Sequence, residues 1–148
     1  MASSVAALPG AEILAHGVTI KPGKPTLLGR QNGKAIFGLP GHPVSALVIA
    51  QIFLAPFLDY LCGVPLKKGP AGHEVRATLA LSLHSEIGLE EYVRVSVEEA
   101  EDGTRVAYPV MGKSGMLSTL AKADGVVRVP MNAEGLSRGE TVTVIHYH

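Results

Sequence analysis

A chain of 148 residues with 13 basic and 13 acidic side chains carries no formal net charge, which excludes a general attraction to nucleic acid or anionic membranes and confines any anion site to local charge. The length fits one domain, or one and part of another, burying about 70% of its unfolded surface. Hydrophobic residues make up 47% of the sequence, with three Phe, four Tyr and no Trp, so some apolar surface is expected to be covered by another subunit or a further domain.

The opening "MASSVAALPGAEILAHG" lacks the basic region and long apolar run of a secretory signal. "EILAHGVTI" and "KAIFGLP" read as buried strands. Between them "KPGKPTLLGRQNGK" carries two loops, one on Pro22-Gly23 and one on Asn32-Gly33, the second a hairpin signal. A long helix follows, with Pro43 in its first turn, Gly63 just past its end and Pro65 beyond. Its apolar residues fall on nearly every face, the pattern of a helix buried all round. Pro56 should bend it by removing one hydrogen bond and crowding the preceding turn. Val44 to Leu61 is long enough to raise a membrane span, but Gln51, Pro56 and Asp59 interrupt it, so a core helix is expected.

"LKKGPAGHE" reads as a linker, after which the texture changes. "EVRATLALSLHS", "EYVRVSVEEA", "TRVAYPV", "GVVRVP" and "GETVTVIHYH" alternate apolar and polar residues at period two. They predict a small antiparallel sheet closing toward a barrel. "SGMLSTLAKA" predicts one or two helical turns. The expected organisation is therefore a piece of an α/β domain over residues 1–68 and a small all-β, barrel-like domain over residues 69–148.

Several loops have the residue types of an anion site. "FGLPGHPVSA" leads a strand through a Gly/Pro turn into a helix, where unpaired N–H groups and the helix dipole favour an anion. Pro40 and Pro43 fix that turn and Ser45 adds a hydroxyl; a plain helix start is the alternative. Lys21 and Lys24 bracket Pro22-Gly23, two ammonium groups on one stiff turn, either gathered around an anion or simply solvated. Arg94 shares a sheet face with Tyr92 and Ser96, opposite Val93, Val95 and Val97. Lys113 and Ser114 sit on a further turn in "GKSG".

Other chemistries find no support. His146 and His148 at i, i+2 lack a third ligand, so no metal site is expected. No nucleophile elbow, Walker-type loop or Cys/His cluster occurs. Cys62 stands alone, which excludes an internal disulfide and fits a reducing, cytoplasmic setting. Glu86, Glu90 and Glu91 read as the solvated start of a strand.

Taken together, "IKPGKPTLLG" followed by "GKAIFGLPGHPVSALV", then "EEYVRV", "GKSGMLSTLAKADGVVRVP" and "LSRGETVTV", resemble the C-terminal part of the molybdopterin molybdenumtransferase family, the MoeA proteins and the gephyrin E domain. The resemblance runs from about Ala11 to Val144. It implies a parent enzyme that inserts molybdate into adenylylated molybdopterin with Mg²⁺, releasing AMP. It further implies that Lys21 and Lys24 act in catalysis and that Pro25, Pro40, Pro43, Ser45, Arg94 and Ser114 line the molybdate pocket. Small-molecule substrates and a homodimer are implied, with the Mg²⁺ ligands in family regions outside this sequence, so this chain alone is expected not to turn over. A noncatalytic oxyanion-binding or oligomerisation module, and a generic phosphate or nucleotide binder, are the competing readings. His42 departs from the Asn usual in "GLPGNPVSA"; it is a poorer helix cap and would bring a titratable group to the turn.

Overall fold

A computed structural model describes residues 2–65, 72–110, 112 and 121–146. A short helix α1 (Ala2–Ala6) buries Val5 and leads into strand β1 (Ala11–His16). Strands β3 (Leu27–Gln31) and β4 (Lys34–Gly38) form an antiparallel hairpin, and β1 adds to β3 to complete a three-stranded sheet. The hairpin turns at Asn32 and Gly33, with φ of 49° and 76°. Positive φ at both positions is the requirement that makes Asn-Gly so favourable there.

Strand β3 was not read from the sequence as a strand. Gly29 interrupts its run of side chains, because a Cβ there would fall 2.8 Å from the Glu12 carbonyl oxygen on β1. Close approach of two backbones, rather than side-chain alternation, decides that stretch.

Helix α2 (Pro43–Ile49) continues through a π-helical turn (Ala50–Leu54) into α3 (Ala55–Leu61). The disruption expected from Pro56 takes the form of this widened turn just before it: Pro56 has no N–H to close the preceding α-turn. The end is a Schellman cap, as Gly63 implied. Gly63 N–H donates to Tyr60 O at 3.0 Å and Val64 N–H to Asp59 O at 2.9 Å, with Gly63 at φ 81°.

The expectation of a helix buried on all sides is corrected. Only Val44, Ser45, Val48 and Ile49 are fully buried; in the π-turn Ile52 and Phe53 are partly buried against the core, and no residue of α3 is fully buried. Phe57 of α3 does meet Phe37 of β4, ring centroids 5.3 Å apart. Leu58, Tyr60 and Leu61 are exposed. By length and composition the 19 residues Pro43–Leu61 suffice to cross a bilayer, and the first turns of the helix are seated on the barrel.

That barrel is built from β5 (Glu74–Leu79), β7 (Glu90–Glu99), β8 (Arg105–Pro109), β9 (Gly125–Val129) and β11 (Thr141–His146). The strand order is β7-β8-β5-β11-β9, and β9 pairs back onto β7 to close it. One seam differs from the antiparallel expectation: β5 and β8 run parallel, Thr78 opposite Val106. Strands β6 (Leu83–His84) and β10 (Gly135–Leu136) form a small separate ladder that places Leu83 and Leu136 in or against the core. The barrel interior is the period-two set read from the sequence, among it Leu79, Val95, Ala107, Val129 and Val144. The helical turns expected in "SGMLSTLAKA" fall almost wholly outside the described residues.

Strand β2 (Ile20–Lys21) belongs to neither hairpin nor meander. It runs parallel to β7, Ile20 opposite Glu90 and Lys21 opposite Glu91, so the N-terminal section is stitched to the barrel wall. A second apolar cluster of Ile20, Val48, Ile49, Tyr92, Val126 and Ile145 glues α2 to the barrel's outer surface. Each fully buried aliphatic side chain of this kind contributes about 1.5–3 kcal/mol.

Candidate functional site

Strand β7 has one edge shared by two partners. Strand β2 takes that edge at Glu90 and Glu91, and β8 takes it from Val95 to Glu99. Between them a notch opens along Tyr92, Val93 and Arg94, bounded by Lys21 and Pro22 on one side and by Val110 and Gly112 on the other. Val44 of α2 forms a further wall, and the enclosed space is about 380 Å³.

The loop that carries Lys21 is rigidly seated. The fully buried Thr26 donates its hydroxyl to Gly23 O at 2.6 Å and its N–H to the same oxygen at 3.1 Å. Val18 N–H donates to Lys24 O at 2.9 Å and Gly17 N–H to Thr26 O at 2.8 Å. Gly23, at φ 142°, lies flat on α2: a Cβ there would come 2.6 Å from Ile49 Cγ1. Glycine is thus required both by conformation and by contact.

Three charges line the notch. Lys21 Nζ lies 3.3 Å from Glu91 Oε1, and Ser85 Oγ donates to Glu91 Oε2 at 2.9 Å. Arg94 is 9% exposed, although strand alternation left an ordinary outward arginine open. Its Nη2 donates to Gly112 O at 3.0 Å, which aims the guanidinium along the notch wall. Helix α2 begins beside it with no side-chain cap: the exposed His42 contributes only its carbonyl, which accepts from Ala46 N–H at 2.9 Å. The loss of side-chain capping expected for His42 is what the helix start displays.

A second polar group supports the wall from outside. Tyr92 donates its hydroxyl to Glu90 Oε1 at 2.6 Å, and Arg128 Nη2 donates to Glu90 Oε2 at 2.6 Å. Burial pushes the Glu90 carboxyl up, but the Arg128 and Tyr92 hydrogen bonds together with the Arg128 charge outweigh it and hold the group below the ordinary carboxylate range. Burial first, and then the hydrogen bond to Glu90, pushes the Tyr92 phenol well above its usual value. The hydrogen bond to Glu90 raises Arg128 in turn. All three keep their native charge states across the physiological range, so the cluster is a fixed brace.

Lys21, Arg94 and the α2 start, where Val44 sits between Pro43 and Ser45, are thus brought to one place. Ser45 is buried one residue beyond Val44. Lys24 and Pro25 are exposed on the same loop, Pro40 is buried behind the turn, and none of these three lines the notch. Ser114 and Lys113 lie outside the described residues; Gly112 is the described residue closest to them in sequence. Glu91, Tyr92 and Thr26 were missed as site components. Thr26 carried a weak signal, a hydroxyl closing a Pro-Gly turn, whereas Glu91 becomes part of the site only through parallel pairing with β2. No group of three or more His, Cys, Asp or Glu side chains able to hold a metal occurs among the described residues.

Comparison with known proteins adds family evidence. Residues 2–60 match a family described as a probable molybdopterin binding domain, and residues 76–147 match the MoeA C-terminal region, domain IV. A Methanocaldococcus jannaschii protein whose name assigns it to molybdopterin biosynthesis is 35% identical over 133 residues, 90% of this chain and 29% of its own length. A Mycobacterium tuberculosis protein named molybdopterin molybdenumtransferase 2 is 33% identical over 127 residues, 86% of this chain and 30% of its own. The crystal structure of a molybdopterin biosynthesis MoeA protein from Pyrococcus horikoshii superimposes with a TM-score of 0.80 at 31% identity, covering 99% of this chain and 34% of that one. The chain thus spans about a third of the length of these relatives. With a helix-containing α/β part followed by a closed five-stranded barrel, and with both segments matched in order, the chain belongs to the MoeA family of molybdopterin molybdenumtransferases.

Proposed function

We propose that this chain forms the oxyanion-binding part of a molybdopterin molybdenumtransferase, the enzyme that inserts molybdate into adenylylated molybdopterin with release of AMP. The observation that carries this reading is the single notch uniting Lys21, Arg94 and the start of α2, drawn from three separate stretches of sequence. In it Lys21 and Arg94 hold a small oxo-dianion by charge-assisted hydrogen bonds, and the apolar wall of buried Val44 and half-buried Val110 limits competing water. With Arg94 on the braced strand and Lys21 on the seated loop, the metal oxide is held where it meets its dithiolene acceptor. Lys24, Pro25, Pro40, Pro43, Ser45 and Ser114 complete the proposed set.

The described residues offer no carboxylate cluster suited to Mg²⁺, so no step is assigned to that ion here. The boundary between the two parts is proposed near residue 68, and the setting as cytoplasmic. The uncovered face of α3, together with the buried Gln51 Oε1 that lacks a hydrogen-bond partner among the described residues, favours a homodimer or another covering surface.

Calorimetric titration with molybdate, tungstate, sulfate and AMP tests the proposal. Molybdate is expected to bind, and Arg94→Ala or Lys21→Ala to weaken it at least about tenfold, the scale of one charge-assisted contact. Absence of oxyanion binding would favour a noncatalytic oligomerisation module, and preference for AMP would favour a nucleotide site.

A further inference from the structure

Resting on that reading of the notch, the geometry points to Glu91 as a built-in competitor of the incoming anion. We propose that its carboxylate occupies the Lys21 ammonium in the empty pocket and must yield it when an oxyanion enters. Four observations carry this. Lys21 and Glu91 are direct partners in the parallel β2–β7 ladder, so backbone pairing delivers them to each other. Their side chains meet at 3.3 Å. Both line the same space as Arg94. Glu91 is also the more sheltered of the pair, with 16% of its side chain exposed against 51% for Lys21, and its second oxygen is held by Ser85.

The carboxylate is therefore the fixed member and the lysine the mobile one. An oxyanion seated beside Arg94 draws the ammonium off Glu91 and then feels the carboxylate as a like charge at close range. Both effects oppose binding. A pocket arranged this way holds its lysine in register and its charge balanced by Glu91 when empty, and takes up only anions that make enough other contacts to overcome the internal carboxylate.

The test uses the whole chain and measures molybdate affinity by calorimetry in four proteins: wild type, Glu91→Gln, Lys21→Met and the double variant. Glutamine keeps the shape and can still accept from Ser85 while removing the charge. Glu91→Gln is expected to bind molybdate about tenfold tighter than wild type, a gain reduced from the direct Coulomb value because the pair is half in solvent. The gain is expected to shrink in the Lys21→Met background, because much of it comes from releasing the lysine. Matched urea midpoints for wild type and Glu91→Gln confirm that folding is unaffected. Equal or weaker binding by a folded Glu91→Gln overturns the proposal and leaves the oxyanion reading standing. A gain of the same size with and without Lys21 overturns the role of the ion pair. Failure of both wild type and Glu91→Gln to bind any oxyanion overturns the inference and the pocket reading together.

Discussion

The barrel and the long helix are both rich in aliphatic residues and use them in opposite ways. In the barrel, strand pairing returns on itself, so Leu79, Val95, Val129 and Val144 are all at or below 1% exposure. In α3 the same kind of side chain is left in solvent, Leu58 at 50% and Leu61 at 63%. Apolar content alone therefore does not build a core. Closure does, because it supplies the opposing surface within the same chain.

The sharpest way to break this comparison is to shorten one leucine on each side of it. Leu79→Ala is expected to cost about 2–5 kcal/mol of stability in urea titration, as buried leucine truncations do. Leu61→Ala should stay within about 0.5 kcal/mol, and Leu61→Glu should reduce self-association in sedimentation without shifting the urea midpoint. Equal losses at Leu79 and Leu61 would mean that α3 is covered in the free chain.

The seam between the two regions comes next. Gly23→Ala pushes a methyl group into Ile49 and should cost about 1–3 kcal/mol, the scale of overpacking. Measured in an Ile49→Ala background, the increment due to Gly23→Ala should lose its packing part and keep the cost of the positive φ.

A smaller gain is expected at the helix start. His42→Asn supplies the missing side-chain cap and should raise stability by about 1 kcal/mol, read as a higher Tm. A lower Tm would refute the capping argument.

The smallest effect sharpens the barrel side. The Glu90 carboxyl lies below its unfolded value, so its contribution is present above the unfolded carboxylate range and lost as pH falls through the folded value. Wild type should therefore lose stability on acidification below about pH 4.5 more steeply than Glu90→Gln, by under about 1 kcal/mol because the pair with Arg128 is partly solvated.

Much of this architecture was legible in the residues. Period-two alternation located the barrel strands, Asn32-Gly33 marked the β3–β4 hairpin of the N-terminal sheet, and Pro43 and Gly63 bounded the helix. Each is a local signal with a local cause. What could not be read were the contacts between distant segments: the two-residue strand β2, the parallel seam of β5 and β8, and the union of Lys21 with Glu91. The same limit governed the site. Lys21 and Arg94 stood out by residue type and setting, while Glu91 looked like one of several surface acids until β2 was placed beside it. The helix misled for another reason, since an all-round apolar surface says that a cover is needed and not where it comes from.

The pairing of β2 with β7 also sets an order of events. Ile20 and Lys21 leave the ribosome well before Glu90 and Glu91 exist, and a contact so far apart along the chain forms late. Until the downstream staves are synthesised and curl shut, the lysine turn has no seat, and the notch between Lys21 and Arg94 does not exist.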